Sequence, residues 1–212
     1  MELNAIQDSI RDRFDRKSAG REKALACSRK TIRSCANGIR AVHRSDWDAA
    51  LALFAEAETN LREAEGALAP FPEIFHAGFL QDAQIEYVEA RATYAIIRGE
   101  PFPAPEDVRI GEAPYLNGLG DTIGELRRHI LDLMRHGELE RCEQLLEAMD
   151  EIYVVLTSMD YPDAITGGLR RRTDVARSLI ERTRGEFSIA LIQQGLRNEL
   201  AAHASRVSGA DA

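Results

Sequence analysis

The sequence predicts an all-α protein, a single-domain antiparallel bundle of about seven helices. Three observations carry that expectation. Ala, Leu, Arg and Glu dominate the composition, while proline and runs of β-branched residues are sparse. Apolar residues recur at helical intervals along most of the chain, and no segment alternates as a strand would. Proline clusters where the helical pattern stops, most densely at Pro101, Pro103 and Pro105. With 212 residues, 44% of them hydrophobic, the chain can bury a real core and lies outside the disordered class.

The elements follow in order. Ile6, Ile10 and Phe14 form a stripe over Met1 to Lys17, and Leu25, Ile32 and Ile39 continue one with Cys35 and Val42. These segments read as one long helix, or as two joined near Ser18-Ala19-Gly20. Ser45 is expected as an N-cap, with Asp48 in the capping-box position, opening a helix from Trp47 to Leu68 that stops at Pro70-Phe71-Pro72. A third helix spans Glu73 to Arg98, closed by Gly99 and blocked by Pro101. Residues 100–113 read as a loop, and Pro114 suits the first turn of a helix that runs to Gly137. Another covers Glu138 to Thr157, and Asp160-Tyr161-Pro162 turns the chain. The last begins near Gly168 and reaches Ala204, with a weak point at Gly185. The domain is thus expected over residues 1–204, with a disordered tail at 205–212.

Net charge is −8, yet from Arg11 to Arg44 eleven Lys or Arg face three Asp or Glu, a local balance of +8. A basic segment on an acidic body can bind polyanions at one face and stay soluble elsewhere. Three cysteines without a CxxC pair argue against a disulfide framework or zinc site and for reduced thiols. No signal-peptide core and no apolar run of about 20 residues is present, so a cytoplasmic protein without membrane contact is expected.

The most informative pattern is acidic. Glu86 and Glu89 lie about 60° apart on one helix, Asp121 and Glu125 about 40° apart on the next. Like charges on one face repel. If two such faces meet in the interior, a divalent ion with oxygen ligands, Mg²⁺ or Mn²⁺, offsets the cost. Such an ion can polarise a phosphodiester and acidify a bound water. The same spacing also describes solvated carboxylates on amphipathic helices, and spacing alone does not separate the two. A ferritin-like di-metal site requires Glu-x-x-His, but the corresponding positions are Ala92 and Arg128. Arg21, Arg29, Lys30, Arg33 and Arg40 line the basic segment, where phosphate contacts or a charged helix exterior are both open. No histidine pair has ligand spacing, and no phosphate loop or nucleophile-elbow motif occurs. Gly118, Gly120 and Gly124 are read as sites of close helix approach.

The order FDRKSAGREKALACSRKTIRSCANGIRAVHR, EYVEA, YLNGLGDTIGELRR and LRRRTDVARSLIERTRG resembles the translin family, closest to its Trax-like branch, over about residues 14 to 190. The resemblance implies a superhelical subunit of seven helices that assembles into a hollow octamer. That octamer is either a homo-oligomer or a mixed one with a translin subunit. It further implies Mg²⁺-dependent cleavage of single-stranded RNA inside the shell. The acidic set falls on Glu86, Glu89 and Asp121, with Glu125 one turn beyond. Nucleic-acid contacts fall loosely on Arg21, Arg29, Lys30, Arg33 and Arg40. The alternative on this scaffold is a non-catalytic protein that binds single-stranded RNA or DNA.

Overall fold

The computed structural model describes the backbone of residues 2–210 and the side chains of residues 3–206. Among the described residues the chain is helical and strand-free, as expected. It comprises α1 (Glu2–His43), α2 (Trp47–Leu68), α3 (Pro72–Phe75), α4 (Gly78–Arg98), α5 (Pro105–Val108), α6 (Glu112–His136), α7 (Leu139–Ser158), α8 (Asp163–Thr166) and α9 (Leu169–Ala210). These form two compact units, Met1–Leu119 with Ile165–Gly167, and Gly120–Ala164 with Gly168–Ala212. None of the described helices is long and apolar enough to cross a membrane.

In the first unit α1 packs on α2 and α4. α1 is one helix of 42 residues, without a break at Gly20. That glycine is a packing residue: a Cβ there would lie 2.8 Å from Phe71 and 2.9 Å from the Ala67 carbonyl. Gly38 has the same role against Phe54, whose ring would stand 2.2 Å from an added Cβ. Phe54 in turn meets Tyr94 edge-on at 6.0 Å, so α1, α2 and α4 share one aromatic-centred core. Fully burying a side chain such as Phe54 contributes about 1.5–3 kcal/mol.

Several boundaries differ from expectation. Ser45 takes a left-handed φ of 57° and does not cap α2. Asp46 does, accepting from the Ala49 N–H at 3.4 Å, because the turn places its carboxylate where the serine was expected. The helix expected over Glu73–Arg98 is interrupted: Ala77 is extended (ψ 138°), which ends α3 and restarts the chain as α4. Gly99 closes α4 in the left-handed conformation, as its position predicts. The proline-rich loop contains the single turn α5. Beyond it, Arg109 adopts a φ of 52° while donating to Glu58 at 2.6 Å. Arg62 also donates to the Arg109 carbonyl at 3.2 Å, pinning this strained corner to α2. Tyr115 donates to the Pro103 carbonyl at 2.7 Å, and Asn117 to the Thr166 carbonyl at 2.7 Å.

In the second unit, Ile123, Leu126 and Ile130 of α6, Leu145, Met149 and Leu156 of α7, and Ala176, Ile180 and Phe187 of α9 are buried. Arg127 donates to Thr183 (2.8 Å) and Glu186 (3.0 Å), and Arg184 spans both oxygens of Asp150 at 2.8 and 2.7 Å. α9 passes Gly185 without a break and continues to Ala210; the last two residues of the expected tail lie outside the described residues. After Phe187 its described residues are no longer buried, and Ile189, Ile192, Leu196 and Leu200 are more than half exposed.

Candidate metal and nucleic-acid site

Each candidate carboxylate is placed by the packing of its own helix. α4 is buried over most of its circumference, with Ile85, Tyr87, Val88, Ala90 and Ala92 all inside. Tyr87, buried in that core, accepts from Arg91 at 3.2 Å and lies near Glu58 of α2, which fixes the rotation of α4 about its axis. That rotation leaves Glu86 and Glu89 half-buried, whereas Asp82, on the same face one turn earlier, is exposed.

Both glutamates act on Cys35 of α1. Burial pushes this fully enclosed thiol far above its ordinary range, and the charges of Glu86 and Glu89 push it further. Cys35 thus lies within electrostatic reach of both glutamates. Gly118 lets α6 close on this part of α4, since a Cβ there would meet Val88 at 2.7 Å and the Ile85 carbonyl at 2.8 Å.

Asp121 belongs to the second unit. Its two oxygens both accept from the Nε of Arg172, each at 3.0 Å. Burial raises its carboxyl above the usual range despite that guanidinium, so one cation does not fully offset the loss of water. Gly120 makes room for the arginine: a Cβ at that position would lie 3.2 Å from the Arg172 Cβ. Glu125, one turn on, is half-buried and stands 3.7 Å from Arg128. The expected packing role thus holds for Gly118 and Gly120, while an added Cβ at Gly124 meets nothing within 4 Å.

Carboxylates are the hard donors that Mg²⁺ or Mn²⁺ takes. Among the described residues, however, no group of three or more His, Cys, Asp or Glu is drawn close enough to hold an ion. At Asp121 the position is taken by Arg172. In the sequence Arg172 is one of three consecutive arginines at the start of the last helix and is not among the candidate site residues. It lies 51 residues from Asp121, a separation without local periodicity, and the one signal was a glycine directly before the aspartate.

The basic candidates are all exposed on α1. Arg29, Lys30, Arg33 and Arg40 occupy a sector of about 100°, roughly 120–160° around the axis from Cys35. They therefore face away from Glu86 and Glu89. Arg21 lies outside that sector, pairs with Glu22 at 2.6 Å and sits 5.9 Å over Phe79. Arg40 donates to Asn37 at 2.6 Å. Trp47 packs edge-on against Tyr94 at 6.1 Å with Arg98 over its ring, a structural position. The three cysteines are free and buried.

No protein-family model matches the chain. An uncharacterised protein of Methanocaldococcus jannaschii is 34% identical over 186 residues, 87% of this chain and 82% of that protein. Among solved structures, AfC3PO bound to duplex RNA and AfC3PO alone both align with a TM-score of 0.82 at 32% identity, covering 91% of this chain and 98% of theirs. Apo-NeC3PO aligns with a TM-score of 0.79 over 87% of this chain and 96% of its own, and at 20% identity shares the fold.

Proposed function

The chain belongs to the translin family, on its Trax-like side, and from that premise we propose that it is a metal-dependent endoribonuclease acting within an oligomeric shell. Glu86, Glu89 and Asp121, with Glu125 one turn beyond, would hold Mg²⁺ or Mn²⁺. Such an ion, when bound, supplies a polarised phosphate and an acidified water. The chain's own residues bind and orient. The Arg29, Lys30, Arg33 and Arg40 stripe, turned away from Glu86 and Glu89, would hold the RNA backbone by charge, and Tyr87, which accepts from Arg91, helps fix the α4 face that presents the glutamates.

The observation that carries this reading is the placement of Glu86 and Glu89, half-buried together on one face of α4, at the positions where the family resemblance puts its acidic set. The 32% identity to AfC3PO, a protein solved with duplex RNA, supports RNA as the ligand. Single-stranded RNA is proposed as the cleaved form, with single-stranded DNA as a second ligand. The exposed apolar residues of α1 (Leu3, Ile6, Phe14) and α9 (Ile192, Leu196) support assembly, as an octamer of this chain or a mixed one with a translin subunit.

A second reading is a binding protein without turnover. It is favoured by the hold of Arg172 on both oxygens of Asp121. One assay separates the two. A labelled single-stranded RNA is incubated with Mg²⁺, with EDTA, and with Glu89→Ala protein, while binding is followed across salt concentration. Cleavage that needs the ion and falls at least about a hundredfold in the variant supports the nuclease. Salt-sensitive binding without cleavage under any divalent ion supports the second reading.

A further inference from the structure

We propose that the basic stripe of α1 docks the acidic stripe of α7 from a second copy of this chain, and that this contact competes with RNA for the same cations; only the competition rests on the RNA reading above. Two helix faces point to it. From Lys23 to Ser45 the sequence holds no acidic residue, and Arg29, Lys30, Arg33 and Arg40 stand exposed on α1 within one sector. On α7, Glu140, Glu143, Glu147 and Glu151 are all exposed. Their spacings of three, four and four residues place them within about 80° of arc. The stripes are equally long: eleven positions separate Arg29 from Arg40 and Glu140 from Glu151, about 17 Å of helix rise in each.

Each face works against itself in a lone subunit, because like charges three and four residues apart on a helix repel. That spacing joins Glu140 to Glu143, Glu143 to Glu147 and Glu147 to Glu151 on α7, and Arg29 and Lys30 to Arg33 on α1. Arg141, the one cation in the α7 sequence, lies about 120° around the axis from the centre of the acidic stripe and donates to Gln144. Setting one stripe against the other replaces both repulsions by attraction, four charges against four over the same length. A single exposed ion pair contributes little; the contact owes its strength to the number of charges and their fixed spacing on two stiff rods. Both stripes are exposed in the subunit, so their mates come from outside it, and every further copy brings both. The α7 stripe presents to α1 what an RNA strand presents through its phosphates, negative charge in a line. In the RNA-free protein it therefore holds the α1 cations, and RNA loads by displacing it.

The contact is tested by charge exchange on the full-length protein, with sedimentation velocity at about 50 mM and about 500 mM salt and circular dichroism as the folding check. One variant carries Arg29→Glu and Arg33→Glu, the other Glu143→Arg and Glu147→Arg. Each alone is expected to lose at least about tenfold in the salt-sensitive part of self-association, because like charges then face each other. An equimolar mixture is expected to recover it, since each variant keeps one native stripe and the two reversed stripes also match. A mixture that associates no better than either variant alone overturns the contact, as does wild-type association equally strong at both salt concentrations. Competition is read with a labelled single-stranded RNA bound to wild type. An excess of the Arg29→Glu, Arg33→Glu protein, which keeps its acidic stripe, is expected to release the RNA. The same protein with Glu143→Gln and Glu147→Gln added is expected not to. Equal release by both, or by neither, overturns the competition. If wild type binds no RNA at either salt concentration, the RNA reading and the competition fall together, while the mixture still decides the contact.

Discussion

Gly118 and Gly120 are two residues apart on α6 and serve different ends. Gly118 belongs to the first unit, where its missing side chain lets α6 lie on Val88 and the Ile85 carbonyl of α4. Gly120 belongs to the second, where it admits an arginine from α9 to the next residue, Asp121. The acidic residues of the two units are treated just as differently. The charges of Glu86 and Glu89 help burial keep the Cys35 thiol protonated. Asp121 receives a guanidinium. Identity of side chain therefore does not fix electrostatic state; the groups packed around it do.

The largest expected effect breaks the first half of that comparison. Gly118→Ala forces a Cβ to within 2.7 Å of Val88, and overpacking of this kind costs about 1–3 kcal/mol. Urea unfolding should show the loss. Gly124→Ala, where an added Cβ meets nothing within 4 Å, should instead gain up to about 1 kcal/mol through helix propensity.

An intermediate effect comes from the second unit's own thiol. Cys142 is buried, donates to the Glu138 carbonyl at 3.3 Å, and is pushed up to about 11 by burial and then by Glu138. A thiol whose folded pKa is raised favours the native state fully below the unfolded value, near 9. That stability is lost as pH rises from about 9 to about 11. Over this window the contribution is about 2–3 kcal/mol. Cys142→Ala should flatten the alkaline limb of the stability curve, and an unchanged limb would show that the thiol is not its source.

The smallest effect lies at Asp121 itself. Asp121→Asn removes a carboxylate from a third-exposed pair, so its loss of stability should stay below about 1 kcal/mol. In the first unit, Glu86→Gln should lower the Cys35 thiol pKa, read from the pH dependence of its alkylation in mild denaturant. A Cys35 that titrates as before would remove Glu86 as a source of that shift.

Much of this was legible in the sequence. The period-3.6 stripes, Gly99 and Pro114 set the long helices because they act locally. What failed to show was non-local or decided by a single turn. Ser45 and Asp46 are both good caps, and only the left-handed φ at Ser45 hands the task to Asp46. Gly20 and Gly185 look alike as possible breaks, yet α1 and α9 run through both, and Gly20 is set by Phe71 across the core. The acidic quartet was read from spacing, but its neighbours, Cys35 and Arg172, come from elements far away in the chain. The basic stripe was visible as composition, whereas its turn away from Glu86 and Glu89 needed the packing of α1.

α1 extends about 63 Å, and its first four turns carry Leu3, Ile6, Ile10 and Phe14 in the open, beside a cleft of about 840 Å³ lined by Ile10, Phe14, Pro70 and Phe71. Such a rod cannot hide its own apolar ridge within one subunit. Heat resistance should therefore rise with protein concentration, because every neighbour that covers the ridge withdraws it from water and adds a mass-action term to folding. A melting temperature that holds constant across a hundredfold dilution would mean the ridge stays wet.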